Sequence, residues 1–392
     1  MQQLAFINGS TLLSIRESKG VTREYLARKA RAPIERLEQW ENCSKTDYPT
    51  MRQAERMAKA LFVPLAGLYM DPDKLPKFPR PKTANMRRPF DSEFGIGDSQ
   101  VNLAIGWLCS LRAQLLATCE ELGEGFAAPG IPSLGGDPVT AAAKLRAFLG
   151  VSHAEQIGSG SSRKFFLLLR KKMESKGILL LQYGNVEIEA CRGIALYFDT
   201  CPVIGVNEDD RWPAQSFSAI HEIGHLSKRA STVCNQMDAS ADRAEEVYCN
   251  ALAGEFLVPR AELERALAGF GDSRSDDTTE KLAATFSISK EVISRRLMDA
   301  GYLSKSEYEE RLERYRRELQ KEKEQNRERR LAGEPTGFAQ PAERVAVNKY
   351  GSLYCGALLR SVDRGLYSSY DVGGMLGVKA EKLPGILREM SR

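Results

Sequence analysis

The sequence predicts a multidomain, mainly α chain built round a small α+β core, with a five-helix helix-turn-helix module in front and helical segments behind. Three observations carry this. Helical periodicity cut by short turns runs over residues 8–70. Three short apolar segments bounded by Gly, Asp or Pro fall at 177–184, 193–199 and 202–207, which reads as one sheet. Helical spacing returns from about residue 214 and runs to the C-terminus with one break near 331–340.

Composition sets the outer bounds. A chain of 392 residues suggests two to four domains. Hydrophobic residues at 42% and charged residues at 28% are an ordinary globular balance. A net charge of +4 is too small for a basic nucleic-acid coat. The charge is uneven, however: residues 1–90 hold 17 Lys/Arg against 9 Asp/Glu. Residues 74–90 hold six basic residues (Lys74, Lys77, Arg80, Lys82, Arg87, Arg88) and no acidic one. Eight cysteines without a CxxC pair read as reduced, buried thiols and point to the cytoplasm. The N-terminal "MQQLAFINGSTLL" has no secretory pattern. No run approaches the roughly 20 apolar residues of a membrane span.

The elements follow in order. Residues 1–75 form the first unit. Ser10 or Thr11 is a candidate N-cap and Gly20 a stop; Thr22 caps the next helix, with Leu26 and Ala27 facing inward. Pro33 falls at a first helical position, and "TMRQAERMAKAL" and "PLAGLYM" complete five helices. Residues 76–97 are a Pro-rich basic linker. Residues 98–160 are a helical connector, with helices at 98–122 and 138–150. Residues 161–272 hold a helix at 162–176, the three strands, and helices at about 214–229, 240–256 and 259–269. Residues 273–303 read as a helix-turn-helix-like segment. Residues 304–340 are a charged helix, a solvated face of i,i+4 pairs, and a linker. Residues 341–392 are a small helical C-terminal piece.

The chemistry lies in "AIHEIGH", Ala219 to His225. The chain has three histidines, and two of them sit four apart around a glutamate. On a helix, positions i and i+4 share a face, so His221 and His225 can hold one Zn2+ between them. Glu222 is rotated about 100° from His221. There it can serve as general base toward a water polarised by the ion. Gly224 leaves room near the helix backbone, and Phe217, Ile220 and Ile223 anchor the opposite side to the sheet. A third ligand is required. His153 lies before the strands, near a helix start, and reads as a surface residue. No H-x-x-G-x-x-H extension follows His225. "RAEEVYCNALAGEFLVP" offers Glu245 and Glu246. Glu246 shares a face with Cys249, Asn250 and Ala253, and would meet the histidine helix; Glu245 points elsewhere, into solvent. Cys249 reads as a small buried hydrophobe. Tyr248 and Arg243 are the nearby candidates for oxyanion stabilisation.

"PVIGVN", "SFSAIHEIGHL" and "EEVYCNALAGEFLVP", in that order and spacing, resemble the ImmA/IrrE family of zinc metallopeptidases over about residues 160–262. The resemblance implies a zincin-like core, Zn2+ as cofactor, metal ligands His221, His225 and Glu246 (gluzincin-like), and Glu222 as catalytic base. "LAATFSISKEVISRRLMDAG" resembles the segment that follows the zinc core in that family. The resemblance further implies a protein substrate: a helix-turn-helix transcriptional repressor whose cleavage switches on a stress, mobile-element or defence operon.

"VTREYLARKARAPIERLEQWENCSKTDYPTMRQAERMAKALFVPLAGLY" resembles the XRE (Cro/C1-type) helix-turn-helix. Its presumed recognition helix, residues 33–42, carries Glu35, Glu38 and Glu41 against one Arg36, which disfavours close approach to phosphates. Gln39 is the one reader-like residue. Weak or assisted DNA binding through residues 1–90 and a protein-docking role stay open, as does a homodimer. The leading expectation is an intracellular zinc-dependent endopeptidase that cuts a regulatory protein. The alternative is a non-catalytic XRE-type DNA-binding regulator, or a toxin–antitoxin component, with a structural zinc domain.

Overall fold

The computed structural model describes residues 3–43, 47–75, 96–234, 243–332 and 340–391. The first unit contains α1 (Gly9–Ser18), α2 (Arg23–Ala30), α3 (Ile34–Glu41) and α4 (Met51–Ala60). Asn8 caps α1 by accepting from the Thr11 backbone, so Ser10 and Thr11 lie inside the helix rather than at its cap. Thr22 caps α2, and Pro33 stands just outside α3 at its N-cap. The fifth predicted helix is a short 3-10 helix, Leu65–Tyr69. Five residues between Pro64 and Met70 leave too little chain to propagate α-helical bonding. Leu12, Ile15, Leu26, Ala27, Leu37, Trp40, Met57 and Leu68 form the core of this unit.

Of the predicted linker, residues 76–95 lie outside the described residues. Then comes α5 (Ile96–Glu121), a 26-residue helix. Its N-terminal end belongs to the first unit. Leu103 packs in that unit's core, Ser99 Oγ accepts from the Thr22 backbone at 2.9 Å, and Asn102 donates to the Gly20 carbonyl at 2.9 Å. Further along, Leu108, Leu111 and Leu115 pack against the sheet.

The chain continues through α6 (Pro138–Leu149), α7 (His153–Gly158) and α8 (Ser162–Ser175). Next come β1 (Leu179–Tyr183), β2 (Gly193–Leu196), β3 (Val203–Asn207), α9 (Trp212–Ser227) and β4 (Thr232–Cys234). After these follow α10 (Arg243–Leu257), α11 (Arg260–Leu267), α12 (Asp276–Phe286) and α13 (Lys290–Asp299). The last elements are α14 (Lys305–Leu331), α15 (Ala342–Asp363), α16 (Ser369–Leu376) and α17 (Leu383–Met390). The sheet runs β1-β3-β2-β4, with β1 parallel to β3 and β2 antiparallel to both neighbours. β4, at three residues, is too short to show alternation and has no signature in the sequence.

β1, β2 and β3 are buried at every position and mostly apolar because the sheet is covered on both faces. Leu180, Ala195, Ile204 and Val206 point toward α8 and α9. Leu179, Leu181, Ile194, Leu196 and Val203 point toward α5 and α15. Residues 341–392 therefore share with α5 the covering of one face of the sheet, through Tyr354, Leu358 and Ile386. α15 is kinked at Gly351, whose φ of 75° is left-handed. Beside the kink, Arg170 of α8 donates to the Val347 carbonyl and Glu174 accepts from the Leu353 backbone, both at 2.9 Å. A Cβ at residue 351 would collide with the Glu174 carboxylate.

Among the described residues, no helix is long and apolar enough to cross a membrane.

Candidate metal centre

α9 is buried over nearly its whole length. Ala219, Ile220 and Ile223 are fully buried in the core against the sheet, whereas Phe217, expected on that side, is half-buried with its ring 6.3 Å from that of His221 on the histidine face. That orientation turns His221 and His225 toward α10. The two helices approach closely at Gly224, where a Cβ would lie 2.9 Å from Cys249 Sγ. Cys249 is fully buried, in keeping with a hydrophobic filler.

α10 brings Glu246 to the two imidazoles. Glu246 Oε2 lies 3.2 Å from His221 Nε2, and its Oε1 lies 3.3 Å from His225 Nε2. The two Nε2 atoms are 3.1 Å apart. A tetrahedral ion with bonds of about 2.0–2.1 Å holds its ligand atoms about 3.3 Å from one another. Three donors of nitrogen and carboxylate type at this separation therefore fit a divalent first-row ion. Burial works against ionisation of Glu246, yet hydrogen bonds and charge from His221 and His225 hold its carboxyl well below the usual carboxylate range. Among the described residues this trio is the group that could hold a metal, and His153 is not in it.

Glu222 is fully buried at the junction of α9 with the sheet. Its Oε2 accepts from Thr232 Oγ1 of β4 at 3.5 Å, and its Oε1 lies over Gly193 of β2. Gly193 and Thr232 come from segments distant in sequence, and no local spacing marks them. Glu245 departs from its expected solvation. Its Oε1 lies 3.2 Å from His225 Nδ1 and 3.5 Å from Lys228 Nζ. Adjacent helical residues point about 100° apart, and here that angle puts Glu246 on the inner edge of the His225 ring and Glu245 on its outer edge. Tyr248 is also otherwise engaged, since its hydroxyl donates to the Leu134 carbonyl. The side chain of Arg243 lies outside the described residues.

A covered sheet behind a helix that carries two convergent imidazoles and a nearby carboxylate, with a second carboxylate from the following helix, is the framework of a metal-dependent hydrolase. Residues 188–298 match the family model of the IrrE N-terminal-like domain, Peptidase_M78. The match supports the ImmA/IrrE family and a metallopeptidase of the zincin-like type. It spans β2 through α13, and so includes the whole trio and the helix pair that follows it. No curated protein and no solved structure matches the chain.

Proposed function

We propose that this protein is a cytoplasmic zinc-dependent endopeptidase that cleaves a regulatory protein, a helix-turn-helix transcriptional repressor, and so switches on a stress, mobile-element or defence operon. The convergence of His221, His225 and Glu246 beside Glu222, inside the segment matched by Peptidase_M78, carries this reading. Zn2+, when bound, supplies Lewis acidity to water and to the scissile carbonyl. His221 and His225 offer their Nε2 atoms and Glu246 a carboxylate oxygen. Glu222, held between β2 and β4, takes a proton from water and delivers it to the nitrogen of the departing chain. Burial of His225 and Glu222 keeps bulk water from competing for these groups.

The first unit, which resembles an XRE module, serves in this proposal as the docking element for the substrate. Glu35 and Glu38 are exposed on α3, whereas Arg36 is held by Asp47. Glu41 does not add to that acidic surface. It is buried between Arg16 and Arg23, the latter at 2.7 Å. An acidic face with its arginine occupied favours a protein partner over tight DNA reading.

The test is to incubate the purified protein with the products of its neighbouring genes, with and without chelator. Cleavage that the chelator abolishes is expected. No cleavage, together with a wild-type cellular response from Glu222→Gln, would favour the non-catalytic regulator.

A further inference from the structure

Both ring nitrogens of His225 face a carboxylate. Nε2 points inward to Glu246 at 3.3 Å, and Nδ1 points outward to Glu245 at 3.2 Å. An ionised carboxylate only accepts hydrogen bonds. Glu245 therefore selects the tautomer with its proton on Nδ1, and the Nε2 lone pair is directed at the point where His221 and Glu246 converge. Lys228, just past the end of α9, reaches the same Glu245 oxygen at 3.5 Å and lies over the Tyr248 ring at 5.3 Å. Glu245 is thus fixed from one side by Lys228 and from the other by the imidazole it orients. Cys249 Sγ, a weak acceptor, also lies 4.0 Å from Nδ1, farther than the Glu245 carboxylate.

We propose that Glu245 is a positioning residue for His225, setting its tautomer and ring orientation for metal binding; this rests on reading the trio as a zinc site. Outer carboxylates that orient a ligating histidine are typically worth roughly 10–100-fold in metal affinity. A surface ion pair with Lys228 alone would leave metal affinity unmoved.

The experiment is a competitive zinc titration of the full-length protein against a chromophoric chelator. Wild type, Glu245→Ala, Glu245→Gln and Glu246→Ala are compared, and the thermal midpoint of each metal-free protein is recorded. Glu245→Ala is expected to bind zinc roughly 10–100-fold more weakly with an unchanged metal-free midpoint. Glu245→Gln, whose amide oxygen can still accept, is expected to recover most of the loss. Glu246→Ala, lacking a ligand, is expected to lose more than either. Wild-type affinity in Glu245→Ala, with wild type itself binding tightly, overturns the positioning role and leaves the site reading intact. Failure of wild type to bind zinc overturns the site reading and the positioning role with it.

Discussion

The carboxylate of Glu222 fills the space that a side chain at Gly193 would need. A Cβ there would fall 2.1 Å from Oε1 and 2.9 Å from Cδ. Gly193 faces α9 from the start of β2, so an added Cβ would meet the far end of the Glu222 side chain, which can turn aside while the α9 backbone stays in place. Gly193→Ala is expected to displace the proposed base, Glu222, while leaving His221, His225 and Glu246 in place. Zinc content should persist and substrate cleavage should fall by roughly 10²–10⁴-fold, the usual worth of general-base assistance. A Gly193→Ala protein with wild-type cleavage would show that Glu222 acts from another position.

Glu222→Gln keeps the shape of the side chain and removes the proposed base. Metal content and thermal midpoint should match wild type, and cleavage should drop by roughly 10²–10⁴-fold. The variant should still bind its protein substrate, which makes it a trap for that partner. Retained cleavage by the zinc-loaded variant would refute the role of Glu222.

The ligand assignment predicts about one zinc per chain. Elemental analysis of the His221→Ala, His225→Ala double variant should find it gone. Full occupancy in that variant would place the metal elsewhere.

Much of this centre is legible in the sequence because it is local. The four-residue spacing of His221 and His225 needs only a helix, and the face shared by Glu246 and Asn250 needs only a second one. What cannot be read depends on how distant segments cross. Glu245 gains its partner from the angle between α9 and α10, and Glu222 meets Gly193 and Thr232 only once β2 and β4 pair. The same holds for the fold. Three strands announce themselves by apolar runs, whereas β4 is too short to do so, and α15 gives no hint in sequence that it covers the sheet.

The kink in α15 predicts a pH effect. Burial pushes the Glu174 carboxyl up from 4.5 to about 7, against the lowering influence of Arg170 and the Leu353 and Ser352 amides. Between these values the folded state holds a proton that the unfolded state has released. Stability is therefore greatest below about 4.5 as far as this group is concerned, and this contribution is lost as pH rises through about 7. Urea unfolding at several pH values across this window should show a decline in wild type that Glu174→Gln lacks. Parallel curves for the two proteins would mean that Glu174 does not titrate there.

DNA affinity of the full chain should be weak and should fall steeply with salt, because phosphate contacts alone would supply it. Gel-shift or anisotropy titrations at two salt concentrations measure this. Tight, sequence-selective binding at physiological salt would reverse the interpretation of the α3 surface.

The sharing of α5 between two cores has a mechanical consequence. Leu103 is seated in the first unit and Leu108 against the sheet, with little more than one helical turn between them. The rotational phase of the helix thus fixes which way the first unit faces. Each residue added between those positions would turn that unit by about 100° and advance it by about 1.5 Å. The chain behaves here as a keyed shaft, so whatever the N-terminal unit grips is offered to the rest of the molecule at one bearing.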